Sequence, residues 1–432
     1  MHTTIRATAA GIALGTALIA ANAAAQGFDW RKHQGEQITF LANNNPVANA
    51  LIKHKDDFEK LTGIKLKVDA YQEQQMRQRL VTSMNARSGE VDVFMSLPSR
   101  EGLQFARAGW YADLTPYVQG AAAPDYNFKD FSPGLVKDAT VDGKVLGVPL
   151  NLEGPVLYYR TDVFKRCGVS LPGDLKNLPD VAARLKSCEP ELTPFVSRGQ
   201  KPALPFTYSV FLHNMGAQYM KDGKSTLCSP QGLAAMRLYA GLLKDYGPPG
   251  VVNYSFYQIS SLYKAGRAVM AFESSNELST LMQGGARESD TGVAVLPGGA
   301  GGSHPTMIGW TMAISAYSKN KDAAWYFLQW ASSPAMQKQL ALQGIAPPRV
   351  SAFQDADFKA WAAQKPVREQ WVAALDQISR TGTAEVGYPI VANPASREFV
   401  GQAVNEVMLG SKPAEQACAE AEKSLDALIA KE

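Results

Sequence analysis

The sequence predicts an α/β protein of more than one domain that works outside the cytoplasm. Three observations carry this reading. From Gln37 to Leu97 the apolar pattern alternates between strand and helix spacing in a βαβαβ order, which implies a largely parallel sheet with helices on its faces. The chain has 432 residues, and 407 once a 25-residue leader is removed, more than the ~100–200 residues usual for one core. That leader has the form of a secretory signal: Arg6 precedes an apolar, alanine-rich run through Ile12, Leu14, Leu18 and Ile19, and Ala23-Ala24-Ala25 offers the small residues a signal peptidase needs. It is too short and too weakly hydrophobic to span a bilayer. The mature protein is expected to begin at Gln26, and with no cysteine after the cleavage site no lipid anchor is expected.

The elements follow in order. A strand over Gln37 to Ala42 runs into the polar loop Asn43-Asn44-Asn45-Pro46, and a helix then reaches Gly63. Ile64, Leu66 and Val68 alternate in a second strand that ends at Tyr71; Met76, Leu80 and Met84 have helical spacing; Val91 to Leu97 is a third strand. In such sheets, ligand loops lie beyond the carboxyl ends of strands. Gly147-Val148-Pro149-Leu150, then Glu153 and Val156 to Tyr159, read as a crossing from one lobe into another, interrupted by Asn151, Glu153 and Gly154. Ser229-Pro230 starts a helix with Leu233, Met236, Ala240 and Leu243 on its apolar face and Gly247 as a stop. Gly284-Gly285 and Gly298 to Gly302 read as surface turns or flexible loops. A strand from Ile308 to Ile314 precedes a helix over Asp322 to Ala331; Ser333-Pro334 opens another that reaches Gly344 before Pro347-Pro348. Asn393-Pro394 begins a helix carrying Phe399, Ala403 and Val407 and closed by Gly410, and Ala414 to Ile429 forms the last.

Composition excludes several classes. The formal charge of +3, about +2 without Arg6, is too small to suggest nucleic-acid or membrane-surface binding, and no long Lys/Arg block exists. No mature stretch approaches the ~18 apolar residues of a membrane span. The cysteines, Cys167, Cys188, Cys228 and Cys418, are even in number, which favours disulfides in an exported protein, although four allow three pairings. Cys167 with Cys188 is the preferred local pair because it closes a Pro/Gly-rich excursion, and Cys228 then pairs with Cys418. Buried free thiols are the alternative.

Taken together, the run Asp142 to Leu150, Leu157 to Phe164, Gly266-Arg267-Ala268-Val269-Met270, Gly309 to Ile314 and Lys319 to Phe327 resembles the extracellular solute-binding proteins of bacterial ABC importers, in the large sugar-binding group of maltose-type receptors. The resemblance implies a periplasmic binding protein type II fold: two α/β lobes with discontinuous boundaries around a central ligand cleft. The first lobe is expected over 26–151 and 311–350, and the second over 152–310 and 351–432, with crossings near 151, 310 and 350. It implies a receptor that closes on a sugar or polyol and delivers it to membrane permease subunits of an ABC importer. No cofactor and no nucleic acid are expected, and the receptor is expected to be a monomer. A glycerol-phosphate-like or other small anionic solute is the alternative ligand.

Sugars need directed hydrogen-bond partners and flat apolar surfaces, which Asn, carboxylates, Trp and Tyr provide. Asn43 and Asn44 follow the first strand, Glu73 and Gln74 the second, and Ser96 the third; caps and Asx-turns are their competing structural roles. Glu153 interrupts the interlobe segment, Glu273 follows the family-like Gly266 to Met270 run, and Trp310 stands at the crossing beside Gly309. Tyr208, Tyr257, Arg349 and Tyr388 complete the candidate set, with core or rim packing and surface ion pairing as alternatives. Neither HExxH, GxSxG nor GxxxxGK[ST] occurs. Glu153 with Glu273 as a glycosidase pair is the catalytic alternative, and it rests on no motif.

Overall fold

The computed structural model describes residues 28–281 and 288–432. The leader, the start at Gln26 and Gly284-Gly285 lie outside the described residues.

Two sheets organise the chain. The first has the order Lys65–Tyr71, Gln37–Asn43, Val93–Ser96, Thr311–Ile314, Val148–Pro149. Its first three strands are parallel, as the βαβαβ pattern predicts, but Thr311–Ile314 pairs antiparallel with both neighbours. The second sheet, in the order Thr291–Ala294, Pro155–Arg160, Ala268–Ser274, Thr193–Val196, has one parallel pairing and two antiparallel ones. The parallel sheet expected from the βαβαβ segment is therefore found in its three strands, and the strands added to that sheet later run antiparallel. A strand that returns after a long excursion enters from the far end and pairs antiparallel, a direction that apolar periodicity does not encode.

Local chemistry sets the helix ends. The stretch after the Asn loop is two helices, Pro46–Ile52 and Lys55–Thr62, rather than one. Asn45 caps the first by accepting from the Ala48 amide at 2.9 Å, and Gly63 ends the second with φ 71°, which favours glycine. Helix Glu73–Asn85 buries Met76, Leu80 and Met84 as their spacing predicts. Ser229 and Ser333 cap helices Pro230–Tyr246 and Pro334–Ala341. The Gly298–Gly302 segment is pinned rather than loose: Gly299 donates to the Gly302 carbonyl at 3.1 Å and Gly301 to that of Asn214 at 2.8 Å. Among the described residues no helix is long and apolar enough to cross a membrane.

The chain passes between the sheets at three places, and these passages are bonded to one another. Leu150 donates to the Trp310 carbonyl at 2.7 Å, Glu153 and Ile308 exchange backbone bonds at 2.8 Å, and Leu152 donates to the Ala346 carbonyl at 2.9 Å. Two fully or nearly buried amides lock them. Asn151 accepts from the Trp310 amide at 3.0 Å, while Asn276 accepts from Ala346 at 2.8 Å and donates to Leu152 at 3.0 Å. A Cβ on Gly309 would lie 2.4 Å from the Asn151 carbonyl oxygen, so the close approach needs glycine.

Disulfides join Cys167 to Cys188 and Cys228 to Cys418, the preferred pairing of the sequence reading. The second fixes the last helix, Ala414–Ile429, to the start of helix Pro230–Tyr246. Its sequence separation is 190 against 21 for the first, so it removes more unfolded-chain entropy, ~5 against ~3 kcal/mol. Non-reducing peptide mapping should recover both links, and Cys228→Ser/Cys418→Ser should lower chemical stability more than Cys167→Ser/Cys188→Ser. Equal or reversed losses would contradict the loop argument.

Candidate functional site

A cavity lies between the two sheets, lined by polar, charged and aromatic side chains from both. Asn43, Asn45, Glu73 and Arg100 line it from the carboxyl ends of the first sheet's strands and the segments that follow them. Arg198, Phe256, Glu277 and Arg397 line it from the opposite side, with Glu153, Ile308 and Trp310 at the passages.

On the first side, Asn43 ends its strand 1 % exposed, and among the described residues its Nδ2 has no hydrogen-bond partner. An orphaned buried donor is costly, and a ligand acceptor would satisfy it. Behind the wall, Arg77 binds Glu101 through Nε at 3.2 Å and Nη2 at 3.3 Å and also pairs with Glu73. Glu73 accepts in addition from Arg100 Nη1 at 3.1 Å. Burial opposes ionisation of Glu73, but the guanidiniums of Arg77 and Arg100 overcome it and hold the carboxyl at about 2. The Arg77 guanidinium lies 5.2 Å from the Trp310 ring centroid, so the indole is backed by a cation while it lines the cavity.

On the other side, Arg198 grips Glu273 through Nε, at 3.0 and 2.9 Å to the two oxygens, and through Nη2. The same guanidinium lies over the rings of Phe206 at 4.2 Å and Phe256 at 5.7 Å. Among the described residues Glu153 and Glu277 have no such bidentate partner. Burial pushes Glu153 up to about 7 against the pull of Arg198, and pushes Glu277 up to about 8 although Ser260 Oγ lies 2.6 Å from its Oε2. Tyr257 joins the two sides: its hydroxyl accepts from the Glu73 amide at 3.3 Å and donates to Asn43 Oδ1 at 3.4 Å.

The cavity thus gathers Asn43, Glu73, Glu153 and Trp310 of the sequence candidates, with Tyr257 bonded at its edge and Gln74 accepting from Arg100 at 3.4 Å. Other candidates sit elsewhere. Asn44 is exposed and accepts from Asn49, and its neighbour Asn45 lines the cavity instead. Ser96 is buried against the Tyr111 hydroxyl. Glu273 stands behind Arg198 rather than on the surface of the cavity, which leaves the imagined glycosidase pair without its second free carboxyl. Tyr208 and Tyr388 are fully buried in the core, Tyr388 with its hydroxyl 2.8 Å from Ser225. Arg349 is also fully buried, donating to the carbonyls of Tyr126, Asn127 and Ser332 with Phe131 at 4.1 Å; the expected ion pair is formed, with Asp130 at 3.3 Å, but its arginine lies inside the fold, and Arg349 does not line the cavity.

Sequence reasoning missed Arg100, Arg198, Asn276, Glu277 and Arg397. Glu277 had a usable signal, a polar run just past the carboxyl end of strand Ala268–Ser274. Arg397 had none, because it reaches the cavity from a C-terminal helix far away in sequence.

A carboxyl whose folded pKa is raised destabilises the fold as pH climbs from its unfolded value, near 4.5, through its folded value, because the unfolded chain sheds a proton that the folded chain keeps. For Glu277 that window ends at about 8. Glu73 acts in the opposite sense, its contribution being lost as pH falls toward about 2. Glu277→Gln should therefore raise the melting temperature of the solute-free protein at pH 9, with the gain shrinking at pH 5. A gain of equal size at both values would contradict the assignment.

Comparison with known proteins places this architecture. The chain is 27% identical over 362 residues to the erythritol/L-threitol-binding protein of Mycolicibacterium smegmatis, covering 78% of this chain and 76% of that one. It is 26% identical over 417 residues to the mannitol-binding protein of Pseudomonas aeruginosa, covering 90% and 93%. Its fold is similar to that of an ABC transporter solute-binding protein from Agrobacterium radiobacter K84 solved with ribitol, with a TM-score of 0.83 at 24% identity over 91% of this chain and 99% of that one. The family model for bacterial extracellular solute-binding proteins matches residues 42–338, more than half of the chain, and the chain belongs to that family.

Proposed function

We propose that the chain is a periplasmic receptor that closes on a small sugar or polyol, of the size of an alditol or monosaccharide, and delivers it to an ABC permease. The observation that carries this is the cavity itself. Asn43 offers an orphaned buried donor, Trp310 a ring backed by Arg77, and Glu153 and Glu277 carboxyls that can either donate or accept. Those groups come from both sheets, so a solute that touches them holds the lobes together. The proposed lobes are 26–151 with 311–350 and 152–310 with 351–432. The names of the Mycolicibacterium and Pseudomonas relatives support a polyol-sized solute, as does the ribitol in the Agrobacterium structure.

Calorimetry against alditols, monosaccharides and disaccharides, with product analysis in parallel, tests the reading. One molecule of a small hydroxylated solute should bind per chain and be recovered unchanged; turnover, or binding confined to long oligosaccharides, would contradict it. Asn43→Ala and Glu153→Gln should each weaken binding by ~1–3 kcal/mol, the cost of a lost buried hydrogen bond. Trp310→Ala should weaken it too, with part of the loss arising from disturbed packing at the passage. If all three variants fold and bind like the parent, these residues do not contact the solute.

A further inference from the structure

Three arginines line the cavity, and they are not equivalent. Arg198 is spent on Glu273, which leaves Arg100 and Arg397 on opposite lobes. Arg100, on the turn Pro98–Gly102 after strand Val93–Ser96, is answered by Glu73 and Gln74. Arg397, on helix Asn393–Met408, is 3 % exposed and spends Nε and Nη1 on the carbonyls of Pro202 at 2.9 Å and Val386 at 2.5 Å. Among the described residues its Nη2 donates to no acceptor and the guanidinium forms no ion pair. Burial, and next to it the charge of Arg100, draws Arg397 down to about 9. Its hydrogen bonds go to carbonyls, and the favourable charge of Glu73 is set against those of Arg100 and Arg77, so this buried cation calls for a counter-charge.

From this we propose that the solute is a polyhydroxy monocarboxylate, an acidic derivative of a sugar or polyol, whose carboxylate is held between Arg397 and Arg100 while its hydroxyls meet Asn43, Glu153 and Glu277. The proposal rests on the receptor reading and narrows it. A neutral hydroxyl could accept from Arg397 Nη2, yet it would leave the buried charge uncompensated. An anion does more: it replaces repulsion between two guanidiniums on opposite lobes with attraction to each, so the ligand's charge itself favours closure. A monoanion suits the site better than a phosphate dianion, because Glu73 is ionised in the same cavity and Glu153 and Glu277 add repulsion whenever they lose their protons.

Calorimetry at pH 7 with matched sets on one carbon skeleton tests this: ribitol, ribonate and ribitol 5-phosphate, with the four- and six-carbon equivalents. The best aldonate should bind at least tenfold more tightly than its alditol and its alditol phosphate. Arg397→Gln should lower aldonate affinity at least tenfold more than alditol affinity, and Arg397→Lys should keep part of the preference. An alditol that binds as tightly as its acid would overturn this inference and leave the receptor reading standing; preference for the phosphate would overturn the carboxylate assignment; failure of every sugar, polyol and acid to bind would overturn both. The comparison on the parent protein needs no variant, so a folding defect in Arg397→Gln does not blunt it.

Discussion

The structure depends on the bonding between the passages that link the two sheets. Asn151 receives the Trp310 amide, Gly309 lets that backbone approach closely, and Asn276 ties Leu152 to Ala346. These bonds are buried, so water does not compete for them, and each lost partner would strand another polar group. They hold the passages in one bundle at the base of the cleft. Trp310 therefore both lines the cavity and belongs to the bonded passages, so on the proposed receptor reading a change there would alter recognition and motion together.

Above that base the cleft is built from charge. Arg77 with Glu73 and Glu101, and Arg198 with Glu273, are saturated pairs that stiffen the two walls. Breaking a buried pair by removing one partner costs ~3–5 kcal/mol, so neither member can change alone without loss. Glu153, Glu277, Arg397 and Asn43 are the groups whose capacity those pairs do not absorb. Rigid, self-satisfied walls bearing a few unsatisfied groups give selectivity, because a solute lacking the matching group leaves a buried partner unmet.

What could be read in advance follows a physical line. Strands with alternating apolar residues, Ser-Pro and Asn-Pro helix starts and the family-like runs were legible because they are local in sequence. Asn43, Glu73 and Glu153 were legible because they follow strand ends or interrupt apolar segments, and Trp310 because it stands at a passage. Tyr208 and Tyr388 were misleading, since an aromatic ring looks alike in sequence whether it faces a ligand or the core. Arg349 reads as a surface cation, but its environment is assembled from the carbonyls of Tyr126, Asn127 and Ser332, none near it in sequence. Arg397 was invisible for the same reason, and so was the antiparallel entry of Thr311–Ile314.

The central claim is that one solute, held from both lobes, closes the molecule about the bonded passages. Small-angle scattering of the protein with and without a saturating bound solute tests it most directly. The account predicts a smaller radius of gyration in the bound form, because contacts to Asn43 and Arg100 on one lobe and Glu277 and Arg397 on the other are made together only when the cleft is shut. A solute shown by calorimetry to bind tightly, with the scattering profile unchanged, would contradict it.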